Sequence, residues 1–224
     1  MAETSVTSGE SAGADGRATR AARTRTAVVD ALLALNEQGN LRPTAREIAA
    51  EARVSLRSIY VHFDDVEALF IAAAIRHGEH LQALALPLLT EGPLEARVDA
   101  LLHHRRRIYE AGAGVRRAAL LQEPFSPALR RALEVGWASA RAEIERVFAT
   151  EIARAGARDR DRLRRALEIV TSAATWDALR RYEGVSAGEA EVQVRAMVRA
   201  AVRGWNPAAV DPVDPTATHP ARPT

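Results

Sequence analysis

The chain of 224 residues is 47% hydrophobic, 27% charged and only 4% aromatic, a balance that suits one or two globular domains. Its 31 cations, all of them arginine, stand against 29 acids for a net +2, which excludes both a polycation and an acidic tail protein. The absence of cysteine excludes disulfides, thiol nucleophiles, cysteine-type zinc sites and iron–sulfur clusters. The longest apolar run, residues 68–75, falls far short of the ~20 residues that cross a bilayer, and residues 1–16 have no apolar signal core. No membrane association and a cytoplasmic location are therefore expected.

Residues 1–16 are rich in Ser, Thr, Gly and Ala, carry Glu3, Glu10 and Asp15, and read as a disordered tail. A first helix is expected over 17–37, where Val28, Val29, Leu32, Leu33 and Leu35 recur at helical spacing before Gly39 ends it. Arg17, Arg20, Arg23 and Arg25 at its start suit either an arm along a nucleic-acid backbone or a solvated helix start. From Arg17 to His62, eight Arg face Asp30, Glu37, Glu47 and Glu51, a net +4, so the positive excess sits in this segment.

Two short helices follow with explicit start points. Thr44-Ala45-Arg46-Glu47 is a capping box, predicting a helix over 45–51, and Ser55 is a second N-cap with Val54 and Ile59 as a hydrophobic staple. Asp64 or Asp65 caps the next helix. Ile48, Ala49 and Ala52 form one apolar stripe and Val54, Ile59 and Phe63 another, so the pair can bury against each other and against Val29, Leu32 and Leu33. That is the plan of a helix-turn-helix, and it leaves Leu56, Arg57, Ser58, Tyr60 and His62 facing outward, where they suit thymine methyls, guanine edges and phosphates.

Further helices are expected over 65–86, 94–111, 115–122, 126–156, 159–183 and 187–204, with no strand alternation anywhere, so the fold class is all-α. Residues 206–224, with proline every few positions, read as a second disordered tail. In 94–111 the apolar stripe of Val98, Leu101, Leu102, Ile108 and Tyr109 includes Arg105, with His104 at its border. Arg105 either pairs with a core acid or points into a cavity and anchors an anionic or hydrogen-bonding effector. Tyr109, Phe125 and Trp137 would wall such a cavity. The last two helices are apolar on more than one face, with Leu163, Leu167, Val170 and Ala174 on one side and Ile169, Trp176 and Leu179 on another, which suggests a two-fold homodimer interface carried by Leu167, Trp176, Leu179, Val194, Val198 and Ala201.

His77, Glu79 and His80 lie close together on one helix but lack a third ligand, so neither a metal nor another cofactor is expected. No nucleophile elbow, phosphate-binding loop or paired-histidine zinc helix occurs, so no enzymatic activity is expected.

The runs Thr44-Ala45-Arg46-Glu47-Ile48-Ala49, Ala52-Arg53-Val54-Ser55, Ile59-Tyr60-Val61-His62-Phe63 and Glu67-Ala68-Leu69 together resemble the DNA-binding domain of TetR-family transcriptional regulators of the TetR/AcrR type. Between the compositional tails at 1–16 and 206–224, the resemblance implies a three-helix DNA-binding domain at 17–64 and a helical ligand-binding and dimerisation domain at 65–205. It implies phosphate contacts from Thr44, Tyr60 and His62, base contacts from Leu56, Arg57 and Ser58, and Arg46, Arg53 and Ser55 on the same DNA-facing surface. The partners would be a palindromic double-stranded operator, a small-molecule effector and a second copy of the chain, with repression relieved by the effector. Three positions depart from the family pattern: Arg53 replaces the turn glycine, Leu56 and Arg57 exchange the usual basic and small residues, and Val66 replaces a phosphate-binding lysine. A helical small-molecule enzyme, or an interaction module that no longer binds DNA, is the competing expectation.

Overall fold

Thr44, Ser55, Asp65, Ser126 and Ser172 each accept a hydrogen bond from the backbone N–H three residues on, and each opens a helix. The computed structural model describes residues 8–204, with side chains from residue 18, and no strand occurs among the described residues. The N-terminal helices are α1 (Ser8–Glu37), α2 (Ala45–Glu51), α3 (Leu56–His62) and α4 (Val66–Leu84). They are followed by α5 (Leu94–Ala111), α6 (Ala113–Gln122), α7 (Pro127–Val147) and α8 (Ala149–Arg154). The chain continues through α9 (Arg160–Val170), α10 (Ala173–Asp177) and α11 (Ala187–Gly204). A 3-10 turn, Glu123–Phe125, leads into α7, and a π turn, Ala178–Tyr182, follows α10.

The all-α expectation holds, with local differences. Helix α1 begins at Ser8, so residues 8–16 of the expected tail are helical, whereas 1–7 and 205–224, including Trp205, lie outside the described residues. The helix expected over 126–156 pauses at Phe148, whose fully buried ring sits where the backbone leaves helical geometry. The helix expected over 159–183 breaks after Val170. There Ser172 caps α10, and the Thr171 carbonyl accepts from Arg105 and Tyr109.

Two cores form. Val28, Val29, Leu32, Ile48, Ile59 and Phe63 bury together, and Leu69 and Ala73 of α4 join them, so this unit extends past residue 64. The second core gathers α5, α7, α9, α10 and α11 around Leu101, Ile144, Phe148, Leu167 and Val198. The units meet at two carboxylates. Glu37, the last residue of α1, accepts from the Gly114 and Val115 N–H groups (3.2 and 3.3 Å) at the start of α6. Glu67, in the first turn of α4, accepts from Ser126 Oγ (2.6 Å) and Ala128 N–H (2.7 Å) at the start of α7. Negative charge at a helix N-terminus is favoured by the free N–H groups and the helix dipole. Gly114 permits the first seam, because a Cβ there would stand 2.4 Å from the Asn36 carbonyl oxygen.

Candidate nucleic-acid interface and sensing cleft

The helix-turn-helix is assembled by short-range contacts. Thr44 and Glu47 complete the capping box: Thr44 N–H and Oγ1 both donate to Glu47 Oε2 at 2.7 Å, and Glu47 N–H donates back to Thr44 Oγ1. These hydrogen bonds hold the Glu47 carboxyl below the ordinary range. Helix α2 ends in a Schellman motif, with Arg53 N–H donating to Ala50 O and Val54 N–H to Ala49 O. This closure requires a left-handed residue, and Arg53 has φ +56°. Helix α1 closes in the same way with glycine, Gly39 at φ +95°. The side chain at the turn thus carries a strain of about 1 kcal/mol that glycine would avoid.

On α3, Leu56, Arg57 and Tyr60 point outward, with Tyr60 66% exposed. Val61 is equally exposed and extends this face, a position that reading the sequence for polar contacts passes over. Arg46, Arg53 and Ser55 are exposed as well, while Ser58 and His62 are half-buried. Thr44 Oγ1 donates within the capping box and Ser55 Oγ pairs with Ser58 Oγ at 2.8 Å, so these hydroxyls serve helix starts in this structure. Arg25, although solvent-exposed, is engaged within the protein. Its Nη1 donates to the His62 carbonyl at 2.6 Å and its guanidinium lies 4.4 Å from the centre of the Phe63 ring, pinning α1 to the end of α3.

Behind α3 a cleft of about 1410 Å³ opens between α1, α4 and the helices α5 to α7. Tyr109, Phe125 and Trp137 line it, with Phe125 and Trp137 well exposed at its edge. His104 and Arg105 do not. Arg105 Nη1 donates to the Thr171 carbonyl and hydroxyl (2.7 and 2.6 Å), and Nη2 to the Ala140 carbonyl at 2.9 Å and Glu143 Oε2 at 3.3 Å. His104 Nδ1 accepts from Leu86 N–H at 3.0 Å, and its Nε2 lies 3.3 Å from Glu143 Oε1. His104 borders only a separate cavity of about 260 Å³. Burial pushes the Glu143 carboxyl up, but hydrogen bonding from His104 and the Arg105 charge outweigh it and hold it below the ordinary range. His104 and Arg105 are therefore corrected from effector ligands to members of a buried structural network, in which the acid expected as one option for Arg105 is Glu143.

The polar residues that line the cleft are different. Asn36, 6% exposed, leaves its side-chain oxygen without a hydrogen-bond partner. It lies on the same helical stripe as Val29 and Leu32, which is the sequence clue to its burial. His77 packs on Gly112 and is pushed down to about 4 by burial, with His80 and Arg116 adding repulsion, so its imidazole is neutral at pH 7. Arg116 pairs with Asp177 at 2.8 Å and lies over the Tyr109 ring. Burial in turn raises the Tyr109 hydroxyl.

The proposed dimer set is also corrected. Leu167, Trp176, Val194, Val198 and Ala201 are buried inside the protomer, and Leu179 packs against the same core. What looked like a stripe facing a second copy is filled by α5, which packs against α11. Among the described residues no cluster of His, Asp or Glu could hold a metal ion, and no helix is long and apolar enough to cross a membrane.

The family model for bacterial regulatory proteins of the tetR family matches residues 29–73, from the middle of α1 into α4. A solved structure of a transcriptional regulator from Rhodococcus sp. Rha1 shares the fold, with a TM-score of 0.61 at 17% sequence identity. That match covers 82% of this chain and 96% of the other. Among curated protein sequences no relative matches. With the capped helix pair, the outward face of α3 and this family match in one segment, the N-terminal unit of the chain is a helix-turn-helix DNA-binding domain of the tetR family of bacterial regulatory proteins.

Proposed function

We propose that the chain is a ligand-responsive repressor that binds a palindromic operator as a homodimer and releases it when a small molecule enters the cleft. The observation that carries this reading is the cleft's position: α1 and α4, which belong to the DNA-binding core, form one wall, and α6 and α7 form the other. Residues 17–64 would contact DNA and 65–205 would sense the effector and dimerise, with α4 shared. A ligand that parts the walls acts on the Glu37 and Glu67 contacts, and so on the placement of α3. Each recognition helix of a dimer then reads one half-site, about 34 Å from the other. We assign self-association to the exposed apolar side chains Val135 of α7 and Ile169 of α9, which lie on adjacent packed helices.

Leu56, Arg57 and Ser58 are assigned to base edges, and Tyr60, His62 and Thr44 to phosphates, with Arg46, Arg53 and Ser55 beside them. A mobility-shift titration with the DNA upstream of the protein's own gene tests this. Arg57→Ala should cost about 1 to 3 kcal/mol and relax base preference, whereas Tyr60→Phe should weaken all sequences alike. A wild-type protein that shifts none of this DNA would refute the reading. Because coupling is reciprocal, the operator must weaken effector binding by the factor by which the effector weakens operator binding.

A further inference from the structure

We infer that Val61 is a base-reading residue, whose methyl groups pack against the C5-methyl of a thymine in the major groove, about two base pairs from the base edge assigned to Arg57. The inference rests on the DNA-facing reading of α3 above and adds a contact to it. Of the residues of α3, Ile59 alone is buried. At about 100° per residue, Arg57 and Val61, two positions to either side of Ile59, point about 160° away from it. They are the two side chains aimed most directly out of the domain. Ser58 and Tyr60 lie on the flanks at about 100° from Ile59, and Leu56 and His62 at only about 60°. Exposure agrees with this order, since Val61 is 68% exposed, Leu56 only 39%, and His62 is half-buried. The apolar group at the centre of the outward face is therefore Val61, and Leu56 sits at its border.

The chemistry of this face selects the target. Ser58 shares a hydrogen bond with Ser55, and Arg25 holds the His62 carbonyl, so the centre of the face presents one guanidinium and one isopropyl group. Base edges in the major groove offer polar donors and acceptors, and the thymine C5-methyl is their apolar feature. Val61 laid on a polar edge would strip its water and return no bond, which costs affinity, whereas two methyl surfaces that meet release water favourably. A β-branched side chain is already restricted about its single rotatable bond, so it loses little freedom on contact. Along the helix axis Arg57 and Val61 are about 6 Å apart, close to two base-pair steps of about 3.4 Å. Helix α3 is about 10 Å long, less than the roughly 12 Å width of the groove, so Val61 is not carried clear of the bases.

Duplexes selected from a random library by the full-length protein test this. Each thymine of the selected site is replaced in turn by deoxyuridine, which removes only the C5-methyl, and affinity is read by mobility shift. At one thymine per half-site the wild type is expected to lose roughly fourfold, the effect of one buried methyl group. Full-length Val61→Ala should bind the unmodified site more weakly by a similar factor and no longer distinguish thymine from deoxyuridine there. Leu56→Ala should retain the distinction. The readout is a ratio of two affinities measured on one protein, so a general loss of folding or of phosphate contacts cancels. Absence of any methyl-sensitive thymine overturns the inference, as does a sensitivity that persists in Val61→Ala or vanishes in Leu56→Ala. Any of these results on a selected site leaves DNA binding by α3 standing, whereas a wild type that enriches no sequence defeats both readings. The expected Val61 pattern without a shift of the DNA upstream of the protein's own gene defeats the repressor reading alone.

Discussion

The two halves of the molecule hold their helices by different means. In the DNA-binding unit nearly every helix end is closed by a residue within a few positions, the core is apolar apart from Asn36, and the Asp30–Arg76 pair is half-exposed to solvent. The body instead buries Arg97, His104, Arg105 and Glu168. Most of their partners are distant in sequence: Glu151 holds Arg97 in a two-pronged contact of 2.6 and 3.0 Å, and Thr171 takes Arg105, while Glu168 pairs both with Arg141 and with Arg164 one turn before it. The first unit is therefore specified by local turns and caps, and the second by polar contacts that exist only once the chain has folded.

The largest test of that contrast is Glu143→Ala. It removes the carboxylate shared by His104 and Arg105 and should destabilise the protein by about 3 kcal/mol, because a buried guanidinium loses its counter-charge. Urea unfolding measures it, and a loss below that of an exposed pair would break the contrast. Acid sensitivity should come next. The unfolded chain protonates His77 near the ordinary 6.5, whereas the folded protein holds it neutral down to about 4. Between these values the unfolded state binds more protons, so stability falls as pH drops from 6.5 toward 4, by on the order of 2 kcal/mol. Thermal melts of His77→Gln should show a shallower decline across that window.

Smaller effects belong to the locally closed unit. Thr44→Ala removes the α2 cap and should cost about 1 kcal/mol. The loss should appear in urea unfolding while the tertiary signal of the body is unchanged at low denaturant. Arg53→Gly should stabilise by roughly 0.5 to 1 kcal/mol, since relief of left-handed strain is partly offset by the greater freedom of glycine in the unfolded chain. A destabilising Arg53→Gly would mean that the arginine side chain contributes more to the fold than its backbone strain costs.

Much of the DNA-binding unit was legible before any coordinates. Thr44, Ser55 and Asp65 announce their helices because a cap needs only the three or four residues that follow it. Helical spacing put Tyr109 and Trp137 on apolar faces and Phe125 lay between two expected helices, but the polar groups of the cleft were not readable. Arg105 and Asn36 both sit on apolar stripes, and a stripe says that a polar residue is buried without saying what it meets. Thr171, Ala140 and Glu143 take the two terminal nitrogens of Arg105 across the core and leave its Nε unpaired, whereas nothing pairs the Asn36 oxygen. Leu167, Val194 and Val198 were misread as a face for a second copy for the same reason. A second apolar stripe requires a cover, and α5 of the same chain supplies it.

The sequence by itself determined the all-α class, the positions of the short helices and the outward side of α3, because these follow from periodicity and from contacts spanning a turn or less. Tertiary structure alone decided which buried polar groups are paired, where the cleft opens and which apolar faces remain exposed. Those outcomes depend on residues tens of positions apart meeting in space, and on the cost of burying a charge or an acceptor that finds no partner.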